Sequence, residues 1–214
     1  MTMPRSNTIS KKTLQKSQTR QNIIAAAWKV MTDVGFEKAN ITMIVDEAGI
    51  TRPTFYANFR NLDDVVFVMT EAVREDLGLA YRALDALDCP TGDDMAAWLE
   101  DLVGIWSKHR VIFDAISTVM YKTTKASEVL SASMKEQIES SMPRHLARLD
   151  DRQRDEFLVR VMMFRTLIER FYFITIIRDA KLPVENSGPF SARFLADIWI
   201  NEIHGKFMGA PTSG

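Results

Sequence analysis

The chain has 214 residues, 27 Lys or Arg against 28 Asp or Glu, a net charge of −1 and 46% hydrophobic residues. That is enough for one small domain and a second core of about 130 residues. No apolar run approaches the roughly 18 residues of a membrane span and no signal segment opens the chain, so the expected location is the cytoplasm with no membrane partner. The single cysteine, Cys89, excludes an internal disulfide framework.

The near-neutral total hides an asymmetry. Residues 1 to 62 hold nine Lys or Arg and four Asp or Glu, a balance of +5, and the remainder carries −6. A basic N-terminal end is the electrostatic footprint of a nucleic-acid partner. Arg5, Lys11, Lys12, Lys16 and Arg20 appear with no acidic residue among the first 20 positions. Residues 1 to 16 therefore read as a flexible basic arm, which suits phosphate tracking and a plain solvated tail equally.

Ser17 to Val34 reads as a helix with Ile23, Ala27, Val30, Met31 and Val34 on one face and Gly35 as its stop. Residues 40 to 59 then form two short helices joined by a glycine turn. Asn40 caps the first, whose inner face is Ile44, Val45 and Ala48, and Gly49 ends it. Thr51 caps the second, with Arg52 and Pro53 in its first turn and Phe55 and Phe59 as its apolar stripe. This is the layout of a helix-turn-helix. Its polar set is Thr42, Thr51, Arg52, Thr54, Tyr56 and Asn58, with Pro53 between them. Arg52 and Thr54 stand at the end that meets base edges, and Thr42, Tyr56 and Asn58 suit phosphate and sugar contacts. Asn61 caps a further helix with Asp63 and Asp64 in its first turn.

Gln21 to Val66, through the runs IIAAAWKVMTDVGF, EAGITRPTFYANF and DDVV, resembles the N-terminal domain of the TetR family of bacterial transcriptional regulators. Pro53 stands where many members have glycine, and Leu62 where most have a phosphate-holding lysine. ITRPTFY and DIWINEIHG are similar to the mycobacterial ethionamide-resistance repressor branch. The resemblance implies that Tyr56 contacts the DNA backbone, that the last two long helices pair across a two-fold axis, and that elongated apolar molecules bind the helical domain.

From residue 63 onward only helical periodicity is visible, with helices expected near 62 to 87, 93 to 107, 110 to 121, 125 to 148, 152 to 179 and 190 to 207. Residues 157 to 177 are apolar around most of the circumference, which calls for cover on more than one side and points to a homodimer. Trp98, Leu102 and Trp106 recur every four residues. They face a stripe expected from Phe113, Met120, Met162, Thr166 and Phe173, with Trp199 closing one end. Arg165 and Glu169 interrupt an otherwise apolar helix, either as each other's partner or as contacts for a ligand. These eleven residues are the candidate ligand-binding set, although such stripes also serve as plain core.

The fold expected is all-α, with an N-terminal three-helix helix-turn-helix domain over 17 to 77, a C-terminal helical ligand-binding and dimerisation domain over 78 to 208, and a tail over 209 to 214. The function expected is that of a homodimeric repressor bound to a palindromic double-stranded operator and released by a hydrophobic effector. A helical ligand-binding or interaction protein with weak or lost DNA binding is the alternative, motivated by Leu62. His109, His145 and His204 are far apart in sequence and no metal or phosphate-cradling motif is present, so no catalysis, metal or cofactor is expected.

Overall fold

The computed structural model describes residues 11–120, 122–184 and 187–209, and every regular element among them is helical. The chain forms two compact units, Met1–Met69 and Thr70–Gly214. The dividing point lies inside a helix, eight residues before the boundary expected at 77.

In the first unit, α1 (Lys11–Val34) begins six residues earlier than Ser17, so Lys11 to Lys16 are helical. Residues 1–10 of the expected arm lie outside the described residues, as do residues 210–214 of the tail. Helices α2 (Ile41–Ala48) and α3 (Arg52–Tyr56) follow, and α4 (Leu62–Asp85) starts in this unit and continues into the next. Ile23, Ala27, Val30 and Met31 of α1 bury against a core that includes Ile44, Val45, Phe55 and Phe59. Phe55 is fully enclosed, and truncating such a ring costs about 3 to 5 kcal/mol. The predicted caps are in place: Met43 N donates to Asn40 Oδ1 at 3.1 Å and Asp64 N to Asn61 Oδ1 at 2.9 Å.

The second unit continues with α5 (Gly92–Lys108), α6 (Arg110–Met120), α7 (Thr124–Ser141), α8 (Pro143–Leu146), α9 (Asp151–Tyr172), α10 (Ser187–Asp197) and α11 (Gly205–Met208). Two helices are longer than these bounds suggest. A π-helical turn, Phe173–Ile177, extends α9, and Ile198–His204 links α10 to α11 in the same manner. The helix expected over 125 to 148 is broken at Met142, because Pro143 forces the residue before it out of the helical region; Met142 takes φ −123° and ψ 48°. Capping boxes at Thr91 with Asp94 and at Asp150 with Gln153 open α5 and α9. Met95, Trp98, Leu99, Leu102 and Trp106 form the buried stripe of α5.

Candidate functional site

The helix-turn-helix is held by local bonds that the sequence specifies. Gly49 takes φ 62° and ψ 36°, a left-handed conformation open to glycine at little cost, and this lets Gly49 N reach Asp46 O at 3.2 Å and Ile50 N reach Val45 O at 3.0 Å. Two terminal carbonyls of α2 are satisfied and the chain turns into α3. Thr51 then caps α3 by accepting from Thr54 N at 3.4 Å, and its hydroxyl lies 2.9 Å from that of Thr54.

The exposed side of α3 is narrow. Arg52 is solvent-facing and donates from Nη2 to Thr42 Oγ1 at 2.6 Å, which joins the start of α2 to the start of α3. Pro53 occupies the first turn, and Tyr56 stands 55% exposed one turn further on. Asn58 differs from its neighbours: its amide donates to Thr54 O at 2.8 Å, its Oδ1 is buried without a partner, and the residue is half-buried. It therefore holds the end of α3 and does not stand among the outward groups.

Arg20, one of the basic residues in the first 20 positions, supports the same helix. Its Nη1 donates to Asn58 O at 2.6 Å and its guanidinium lies 4.0 Å from the Phe59 ring centre, so α1 clamps the end of α3. Arg60 is likewise engaged, donating from Nε and Nη2 to Asp64 at 2.7 and 2.8 Å. That guanidinium, through its hydrogen bond, holds the Asp64 carboxyl below the ordinary carboxylate value.

The second unit contains a cavity of about 140 Å³. Of the eleven residues read from sequence, Trp106, Phe113, Arg165, Thr166, Glu169 and Phe173 line it together. The rings of Trp106 and Phe113 are parallel within 3° at 3.7 Å. Arg165, on the buried side of α9, donates from Nε to Glu169 Oε1 at 2.8 Å and from Nη1 to Gln137 Oε1 at 2.7 Å. Burial works against its charge, but Glu169 and Tyr81 together outweigh it, so the guanidinium is held above its ordinary value.

Four of the other candidates belong elsewhere. Trp98 is core: its ring lies against Tyr81 and Phe164, and Nε1 donates to Ala80 O at 2.8 Å. Leu102 is buried in α5, Met162 is half-buried away from the cavity, and Trp199 is fully enclosed beside Phe164 and His145. Met120 ends α6, and its side chain lies outside the described residues.

The wall contains residues that sequence reading missed, chiefly Arg74, Leu130, Ser133, Met134 and Gln137. The spacing of Leu130, Met134 and Gln137 on α7 was the available signal, but α7 is too polar overall to stand out. Gln137 Nε2 donates to Arg74 O at 2.6 Å and Arg74 Nη1 bonds Ser133 Oγ, which ties α7 to α4.

Residues 23–69 match the family model for bacterial regulatory proteins of the tetR family. The chain is similar in structure to a TetR-family transcriptional regulator from Streptomyces coelicolor, with a TM-score of 0.51 over 86% of this chain and 99% of that one. At 15% identity this likeness establishes the shared fold. No curated protein matches the chain. The matched stretch runs from the middle of α1 into the first turns of α4 and includes the capped turn between α2 and α3. A cavity of about 140 Å³ is smaller than the roughly 300 to 1,000 Å³ typical of pockets for drug-sized ligands, so it fits a compact molecule better than an elongated one.

Two histidines that lie 59 residues apart in sequence meet in the second unit. His145 Nδ1 is 2.6 Å from Asp85 Oδ1, His145 Nε2 is 3.1 Å from His204 Nδ1, and His204 Nε2 is 3.0 Å from Asp88 O. Asp85 also accepts the backbone N–H groups of Arg144 and His145, so the cluster ties α8 and the π-turn of residues 198–204 to the end of α4. Among the described residues, no helix is long and apolar enough to cross a membrane.

Proposed function

We propose that the chain is a homodimeric, cytoplasmic transcriptional repressor that binds a palindromic operator and is released by a small apolar effector. The observation that carries this reading is the capped turn from Asn40 to Phe59, which leaves Arg52 and Tyr56 outward on a short helix of a basic unit. Arg52 forks onto a base edge in the major groove; Thr54 stands beside it, and Thr42, Thr51 and Tyr56 face phosphate or sugar. Pro53 stiffens the first turn, and Asn58 positions the helix from within.

One recognition helix of five residues reads few base pairs, and a dimer places two of them about one DNA turn apart. What supports dimerisation is the outer face of α9, where Val159, Met163 and Leu167, spaced four apart, are 55%, 68% and 43% exposed, and Phe190 and Phe194 of α10 are 65% and 59% exposed. Apolar side chains so placed lose free energy in water and gain it against a second copy.

The effector occupies the cavity lined by Trp106, Phe113 and Phe173. Arg74 of α4 lies on the same wall, and the first turns of α4 belong to the DNA-binding unit. A ligand that favours one position of α4 therefore shifts the population of DNA-competent dimers, and operator DNA weakens the ligand by the same factor.

The test is retention of genomic fragments by the purified protein in a gel shift, followed by footprinting. A protected palindrome whose binding falls steeply with salt supports the reading. Salt-independent indifference to all DNA overturns it in favour of a ligand-binding or interaction protein without DNA affinity.

A further inference from the structure

The chemistry of the cavity wall selects a ligand class. Arg74, Arg165 and Arg170 line it with one carboxylate residue, Glu169; Arg74 is also paired with Glu136 at 3.6 Å and Glu71 at 3.9 Å, neither of which lines the cavity. Arg165 is the buried member. Its Nε and Nη1 are taken by Glu169 and Gln137, which fixes the plane of the guanidinium at the cavity wall. A planar donor in low dielectric, already oriented by two partners, binds an anionic oxygen more strongly than a neutral one.

The apolar part of the lining is aromatic: Trp106 and Phe113 stack face to face, and Phe173, whose ring the Arg170 guanidinium approaches at 5.6 Å, opens the π-helical turn that extends α9, a local insertion that often marks functional positions. Size sets the remaining limit. Benzene occupies an engineered cavity of about 150 Å³, so about 140 Å³ limits the ligand to a single ring.

We infer that this cavity binds a small aromatic monocarboxylate, its ring against Trp106, Phe113 and Phe173 and its carboxylate toward Arg165. The inference rests on the reading of the cavity as the effector site, and it concerns binding to the protein without DNA.

Calorimetric titration of the full chain, free of DNA, with benzoate, benzamide, benzyl alcohol and benzylamine tests it. The expected result is saturable benzoate binding, about tenfold or more tighter than benzamide or benzyl alcohol, with benzylamine weakest. Arg165→Met should abolish the preference of benzoate over benzamide. If that variant does not fold, the ratio measured on the natural protein decides. Equal affinity for benzoate and benzamide, tighter binding of benzylamine, or no binding of the series overturns the inference. Benzoate binding without release of operator leaves the ligand class standing and removes its role as effector.

Discussion

Arg165 of α9 and Gln137 of α7 meet 2.7 Å apart, guanidinium to amide oxygen, although 28 residues separate them in the chain. Gln137 in turn donates to Arg74 O, so one buried amide connects three helices. Amphipathic patterns do not reveal such a contact, because a polar residue facing inward resembles an error of periodicity.

That pair has a measurable energy. Arg165→Leu leaves Glu169 without its cation and Gln137 without a donor, and Gln137→Leu leaves a buried guanidinium N–H unpaired. Each single change is expected to cost about 2 kcal/mol in urea unfolding. The double variant should cost less than the sum by about 1 kcal/mol, since the second change removes a group already orphaned. Simple additivity would show that the two side chains act independently.

At the turn, Gly49→Ala places a side chain at φ 62°, where an added Cβ meets no atom within 4 Å. The cost is therefore conformational, about 1 kcal/mol, and it should appear as a lower unfolding midpoint with weakened DNA retention. An unchanged midpoint would mean that the turn relaxes freely.

Arg52→Ala removes an exposed donor and should leave stability within about 0.5 kcal/mol. Sequence-specific DNA affinity should fall by about 1 to 3 kcal/mol, measured by titration on a footprinted fragment. Unaltered affinity would place base reading on other residues.

Met163→Glu puts a charge at the centre of the exposed apolar stripe of α9. The isolated subunit has no reason to unfold, because that side chain is already 68% in water. Sedimentation should show the dimer weakened by about tenfold or more, as a buried unpaired carboxylate is costly. An unaffected association constant would move the interface to another face.

The histidine cluster predicts the pH response. Burial is the largest cause holding both His145 and His204 below their ordinary value; Asp85 opposes it at His145, and Asp88 opposes it at His204, where the charge of His145 adds to it. Arg148 lowers both, and Arg144 lowers His145. Unfolded imidazoles bind a proton near pH 6.5. Below that pH the unfolded chain holds more protons than the folded one, so stability falls on acidification and is flat above it, by at most roughly 1.4 kcal/mol per pH unit for each imidazole. His204→Gln should reduce the loss in melting temperature between pH 8 and pH 5.5. An equal loss in that variant would assign the acid sensitivity to carboxylates.

The sequence alone determined the elements whose causes lie within a few residues. Asn40, Gly49, Thr51 and Asn61 mark the helix-turn-helix because caps and a left-handed turn are local bonds. The helical character of the second unit was legible for the same reason, and the pairing of Arg165 with Glu169 one turn away was one of the two alternatives that spacing left open. Tertiary structure decided which stripes became core and which became a wall. Trp98 and Trp106 have the same spacing relation to their helix, yet one packs on Phe164 and the other lines a cavity. It also turned Arg20 into a clamp on α3, turned Asn58 inward and joined His145 to His204. Each depends on where distant helices cross, and periodicity along one helix specifies the face that is buried but not the neighbour that covers it.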